Sequence, residues 1–267
     1  MRVDDPNDER LDAFRWRERQ LTNIAQRKST VQSGLFIAEG DLVVERALAA
    51  NCTPRVVLCD ERFAARFDQP VSSRGGTVIE APADVRREVT GLGVPLGAIG
   101  VFERPALREP DELCASARRM VLLDCVDNPS NVGSIARSAA ALGWDALVLD
   151  STSSDPLARR ALRVSMGTTF RIGFARTDDL AALIERLNAA GVTTIALTPH
   201  RESGPVQPLS DLGDIGERVA IVLGSERQGV RTEIVDRCSH AVRIEMAEEV
   251  DSLNVATAAA IACWALR

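Results

Sequence analysis

A chain of 267 residues, 45% hydrophobic and 26% charged, is long enough for one large domain or two ordinary ones and has the balance of a soluble globular protein. Its formal net charge of -6 argues against a generally basic nucleic-acid coat, and scarce aromatics with no tyrosine leave few stacking platforms for single-stranded bases. No apolar run reaches the roughly 18 residues a membrane span needs, and the charged N-terminus offers no apolar signal segment, so a cytoplasmic protein is expected.

Residues 1–12 are polar and acidic, and residues 1–16 read as a flexible, frayed N-terminus. LDAFRWRERQLTNIAQRKS has helical character. LFIAE reads as a short strand that passes through Gly40 into the amphipathic helix DLVVERALAA. PRVVLCD (54–60) is the next strand, ERFAARF a short helix, GGTVIEA a strand, ADVRREVTGL a helix, and PLGAIGVFERP a glycine-interrupted strand. This alternation makes an α/β module over residues 17–107. PALREPDELCAS carries two prolines and several charges, and a linker is expected over 108–118.

The second module, 119–267, offers the strand candidates MVLLDCV, ALVLD, FRIGFAR, TTIALT, RVAIVLG and HAVRIEM. Helices are expected between most of them, over 131–142, 155–165, 178–190, 229–236 and 252–266. Such alternation predicts an α/β domain with a mainly parallel sheet covered on both faces. The six cysteines form no C-x-x-C pair and only two histidines are present, so no metal site is expected and reduced, mostly buried thiols fit best.

Three polar stretches follow strand ends, where open parallel sheets bind ligands. After MVLLD, the turn VDNPSNVGSIAR leads into a helix, yet neither G-x-G-x-x-G nor G-x-x-x-x-G-K-[ST] is present. Asn128 or Ser130 is placed to cap that helix, with Pro129 setting the turn. Arg137 lies about 1.7 turns beyond Asn131, so the two do not stack on one helix face. The strand RVAIVLG ends at Gly224 and is followed by Ser225, Glu226 and Gly229. Glu226 is either a site carboxylate or a first-turn residue favoured by the helix dipole. In VRIEMAEEVDSLNVATAAAIACWAL a strand end and an acidic loop lead to a helix apolar most of the way round, which belongs in a core or an oligomer interface. Ser252 reads as its N-cap, leaving Asn254 less structural reason to be there.

A basic run, PLARRALRVSMGTTFRIGFART, holds Arg159, Arg160, Arg163, Arg171 and Arg176 and no acid. It is either a grip for RNA phosphates or a solvated face in a chain whose only lysine is Lys28.

NPSNVGSIARSA, LGSERQGV and IEMAEEVDSLNVATAAA occur in that order. Together they resemble the three signature motifs of the SpoU (TrmH) family, within the SPOUT class of RNA 2′-O-ribose methyltransferases. GLFIAEGDLVVERALA and PLGAIGVFERP resemble the start and the last strand of the small ribosomal-protein-like RNA-binding domain that many members carry first. The resemblance implies a SPOUT-type parallel sheet with a C-terminal trefoil knot, which general topology rules disfavour. It also implies a homodimer through the knotted C-terminal region, S-adenosyl-L-methionine as cofactor, and a structured RNA as partner, ribosomal RNA first and transfer RNA second.

The same resemblance makes Asn131, Arg137, Glu226, Ser252 and Asn254 the polar active-site positions. It puts Thr198, Pro199, Leu223, Gly224, Gly229, Ile244, Met246 and Leu253 around the methyl donor, and RNA contacts are expected at Arg159, Arg160 and Arg163. Arg137 matches the residue proposed to activate the ribose hydroxyl, in a dimer toward donor held by the other subunit. A guanidinium is a poor base. Either desolvation deprotonates it or it anchors a phosphate that takes the proton. Two positions depart from the family pattern: Glu245 and Glu248 stand where proline and glycine are usual. Their charge is the best support for a second reading, a non-catalytic RNA-binding or ribosome-assembly protein of the same fold. A third, an unrelated α/β nucleotide-binding enzyme, lacks its glycine fingerprints.

Overall fold

Strand-forming runs of valine, isoleucine and leucine assemble into two separate sheets, one of four strands and one of seven. The computed structural model describes residues 1–23, 34–199, 201–202, 204–247 and 252–267. Two compact units divide the chain: residues 1–107 with 157–170, and residues 108–156 with 171–267.

In the first unit β1 (Leu35–Glu39), β2 (Pro54–Cys59), β3 (Thr77–Glu80) and β4 (Ala98–Glu103) stand in the order β1-β4-β2-β3. The two pairs made by β4 are antiparallel, and β2 and β3 run parallel. Helix α1 (Asp41–Ala49) starts after Gly40, whose φ of 105° a side chain would resist, and buries Val43, Val44, Ala47 and Leu48 as one stripe. Helix α2 (Glu61–Ser72) is capped by the Asp60 carboxylate, and α3 (Ala83–Thr90) ends on Gly91 in the left-handed conformation.

Three expectations change here. The N-terminal stretch is packed rather than frayed: Val3 donates to Glu80 O at 2.8 Å, and Val3, Leu11 and Phe14 are buried in the core of this unit. Their apolar side chains outweigh the polar composition around them. The stretch from residue 11 is no single helix. Asp12–Arg15 and Glu18–Leu21 are one-turn helices broken at Trp16, whose backbone is extended, and the end of the stretch lies outside the described residues. Residues 157–170, read as part of the second module, pack in the first unit.

The last change has an electrostatic cause. Helix α6 (Arg159–Ser165), numbered after α4 (Pro110–Ser116) and α5 (Pro129–Ala141) of the second unit, carries Arg159 and Arg163 to Glu39, whose side chain is 1% exposed. Arg159 Nε donates to Glu39 Oε1 at 2.8 Å and Arg163 Nη1 to Oε2 at 2.7 Å. A carboxylate taken out of water needs such partners. Two of the three arginines expected on RNA are therefore charge partners of a core residue, while Arg160 is exposed.

In the second unit the strands are β5 (Arg119–Asp124), β6 (Ala146–Asp150), β7 (Gly173–Thr177), β8 (Thr193–Leu197), β9 (Gln207–Pro208), β10 (Val219–Gly224) and β11 (His240–Arg243). Their order is β7-β6-β5-β10-β8-β11-β9, and every neighbouring pair is parallel. Side chains alternate across it: Val121 and Leu123 join a core with α5 (Pro129–Ala141) and α8 (Val255–Ala265), Met120 and Leu122 one with α4 (Pro110–Ser116) and α7 (Leu180–Ala189). The expected linker contains α4, opened by Pro110 at its first position and anchored by buried Leu113 and Cys114. Strand β9 escaped the sequence reading because two residues ending in proline carry no strand signal. Among the described residues no helix is long and apolar enough to cross a membrane.

Candidate active site

The first motif forms a capped helix start. The Asn128 side chain accepts from Ser130 N–H at 2.9 Å, Pro129 occupies the first helical position of α5, and Asn131 follows in the first turn. Asn131 is buried and Arg137 is exposed, as their separation along the helix requires.

The second motif is a tight turn folded back on its own strand. Gly224 ends β10, Ser225 bridges to Gly229, and Gly229 has a φ of 68°. A Cβ on Gly224 would fall 2.0 Å from the Gly229 carbonyl carbon, so backbone occupies the space any side chain needs. The turn thereby aims Glu226 at the helix starts. Below it, Asp124 at the end of β5 accepts from Arg231 N–H at 2.8 Å and from Arg231 Nε at 2.7 Å. Its carboxylate is fully buried, and this ion pair fixes the chain where it leaves the turn.

Asn254 caps α8, a role the sequence reading gave to Ser252. Its Oδ1 accepts from Ala256 N–H at 2.9 Å and Thr257 N–H at 3.4 Å. The cap sits two residues further on because α8 begins at Val255. The other end of the same side chain faces the site. Asn254 Nδ2 donates to Glu226 Oε1 at 2.6 Å and to Asn131 Oδ1 at 3.1 Å, and Asn131 Nδ2 donates to Glu226 Oε1 at 2.9 Å. Three motifs distant in sequence thus close one polar triangle, in which two amides hold a carboxylate that would otherwise be free to swing.

Beside the triangle lies a cavity of about 500 Å³. Thr198, Pro199, Leu223, Gly224, Gly229, Ile244, Met246 and Leu253, all expected around the donor, line it together with Glu226 and Ser252. Asn131 and Arg137 are not in its wall. Leu197, Leu223, Ile244 and Val255 add apolar lining, and Met246 and Leu253 are exposed although large and apolar. Glu245 is absent from the lining and accepts from Ser210 Oγ at 2.9 Å. Its charge is therefore held outside the cavity; Glu248 lies outside the described residues. Arg201, Glu202, Arg227, Gln228 and Arg243 also line the wall and were not singled out from sequence. Arg201 stands in a polar stretch of the sequence, PHRESGP, with no motif to mark it.

Residues 118–264 match the SpoU rRNA Methylase family, and residues 17–100 match the MRM3-like substrate binding domain. An uncharacterized tRNA/rRNA methyltransferase of Mycobacterium bovis is 36% identical over 263 residues, 98% of this chain and 90% of that one. The 23S rRNA (guanosine(2553)-2′-O)-methyltransferase RlmP of Bacillus subtilis is 28% identical over 241 residues, 90% of this chain and 92% of that one. The crystal structure of an AdoMet-bound rRNA methyltransferase from Sinorhizobium meliloti superposes with a TM-score of 0.82 at 25% identity, covering 99% of this chain and 96% of that one.

Proposed function

This chain belongs to the SpoU rRNA methylase family, and from that premise we propose that it transfers a methyl group from S-adenosylmethionine to a ribose 2′-hydroxyl of ribosomal RNA. The observation that carries the reading is the triangle Asn131–Glu226–Asn254 beside a largely apolar cavity. The residues fit the donor. Gly224 lets the Gly229 backbone close tightly on the strand end and so shapes the wall, Thr198 offers a hydroxyl, and Ile244, Met246 and Leu253 offer apolar cover. When bound, S-adenosylmethionine supplies an electrophilic methyl group.

The chain's own residues position the other reactant. Glu226, held by two amides, presents a fixed acceptor for the substrate's polar groups. Arg137, exposed on α5, anchors RNA phosphate near the nucleophile. Aligned reactants account for much of the barrier lowering in such a transfer. The first unit, whose residues 17–100 match a substrate-binding domain, grips the RNA, and the second unit carries the transfer. On α8, Ile261 and Trp264 are exposed, which suits a second copy of the chain packing there. A trefoil knot near the C-terminus belongs to the same proposal, as the resemblance of the three motifs implies. RlmP favours ribosomal RNA, and transfer RNA is the second substrate class, as the mycobacterial relative's name allows both. Glu245, turned onto Ser210, takes one of the two charges that favour an inactive protein away from the donor cavity.

The test is transfer of labelled methyl from the donor to ribosomal and transfer RNA, comparing the wild type with Arg137→Ala. Label in a 2′-O-methylated ribosomal nucleotide, lost in the variant, is the expected result. Donor binding without transfer to any RNA would refute it.

A further inference from the structure

One charged group in the cavity wall is poorly satisfied. Arg201 follows β8, and its side chain is 15% exposed. Its Nη2 makes only long contacts, 3.5 Å to Asp236 O and 3.4 Å to Cys238 O. Among the described residues no acceptor lies within hydrogen-bond distance of its buried Nε, and the Asp236 carboxylate stands at 3.7 Å. A guanidinium has five N–H donors in a fixed fork and cannot shed its charge. One kept from water with a donor unused calls for an anionic acceptor. The other two arginines of the wall differ: both Arg227 and Arg243 are exposed, and Arg243 Nη1 donates to Val206 O at 3.0 Å. Glu202 and Glu226 bring negative charge to the same cavity, so the wall suits a ligand carrying both signs.

Resting on the donor class proposed above, we infer that Arg201 is a specificity residue that binds the carboxylate at the amino-acid end of the methyl donor. The apolar wall of Leu223, Ile244 and Leu253 then faces the nucleoside. The carboxylate is unchanged by methyl transfer, so donor and spent donor gain equally. Arg201 thus sets KM and product affinity and leaves kcat nearly untouched.

The probes are S-adenosylhomocysteine and its decarboxylated analogue, titrated calorimetrically into the full-length protein. Charge-assisted hydrogen bonds predict a wild-type preference for the carboxylate of about 10- to 100-fold. In Arg201→Met the preference disappears while the decarboxylated analogue binds as it does to the wild type, and Arg201→Lys recovers part of the preference. An undiminished preference in Arg201→Met overturns the inference. So does equal loss of both ligands, which would mark Arg201 as an anchor for its loop. A wild type that binds both probes equally refutes the carboxylate contact but leaves the donor class standing. A wild type that binds neither refutes the donor class, and this inference with it.

Discussion

Asn254 uses one end of its amide for the fold and the other for the site, so two substitutions separate the roles. Asn254→Ala removes both. The helix loses acceptor bonds to Ala256 N–H at 2.9 Å and Thr257 N–H at 3.4 Å, a cap worth about 1 kcal/mol. In a chain of this size that lowers Tm by roughly 2–4 °C. Glu226 keeps Asn131 but loses the 2.6 Å contact, and a loosely held carboxylate costs about 100-fold in transfer rate. Asn254→Asp keeps a capping oxygen, favoured by the helix dipole, so Tm stays within about 1 °C of the wild type. It replaces the donor facing Glu226 with a second carboxylate, and the like charges push Glu226 out of place. Transfer is expected to fail at pH 8. Calorimetric melting and labelled-methyl transfer to ribosomal RNA read the two effects separately. Wild-type transfer by Asn254→Asp at pH 8 would refute the role given to the Asn254–Glu226 contact, and an Asp variant as unstable as the Ala variant would refute the cap.

Gly224→Ala places a Cβ 2.0 Å from the Gly229 backbone, so the turn must move; donor binding is expected to vanish with a loss of about 1–3 kcal/mol of stability, and titration of the folded variant with S-adenosylhomocysteine decides it. Glu39→Gln leaves Arg159 and Arg163 without their buried counter-charge; because Arg163 is 39% exposed, the cost is set at about 2–3 kcal/mol in urea unfolding, and an unshifted midpoint would show the pair to be idle. Burial raises the Asp150 carboxyl, but hydrogen bonds from Ser153, Thr152 and Cys125 outweigh it and hold it below the ordinary value. With the folded value below the unfolded one, this contribution is complete above about pH 4 and is lost as pH falls through the folded value. Asp150→Asn should flatten that acid limb of the stability curve, and an identical limb would count against it. Burial pushes the thiols of Cys238 and Cys263 up to about 12 and those of Cys52, Cys59 and Cys114 to about 11. Half-buried Cys125 should therefore be the first of the six labelled by a thiol reagent at pH 8, read by mass spectrometry, and equally fast labelling at any buried site would contradict the packing.

Much of the fold is written in local pattern. Apolar runs such as VLLD and AIVLG are long enough for a strand, too short for a helix, and buried on both faces, which only a covered parallel sheet provides. The motif turns are legible for similar reasons: Pro129 and Asn128 open a helix, and the glycines at 224 and 229 mark a turn whose backbone must approach itself. Boundaries shifted where composition misled, as at the acidic N-terminus and the proline-rich 108–118 stretch, because a few buried residues decide packing and polar neighbours merely surround them.

What the sequence alone determined, then, are the parts: the alternation of elements, the three motifs, and the residue types each contributes. It could not determine which arginine meets which carboxylate, since that depends on separations no spacing encodes. Glu39 meets Arg159 across 120 residues, and Asn131 meets Asn254 across 123. Only the tertiary structure turned Arg159 and Arg163 inward, moved the α8 cap from Ser252 to Asn254, and brought Arg201 into the cavity wall. Such charges and amides carry no periodicity of their own; they go wherever the burial of apolar faces takes them, and their partners are settled last.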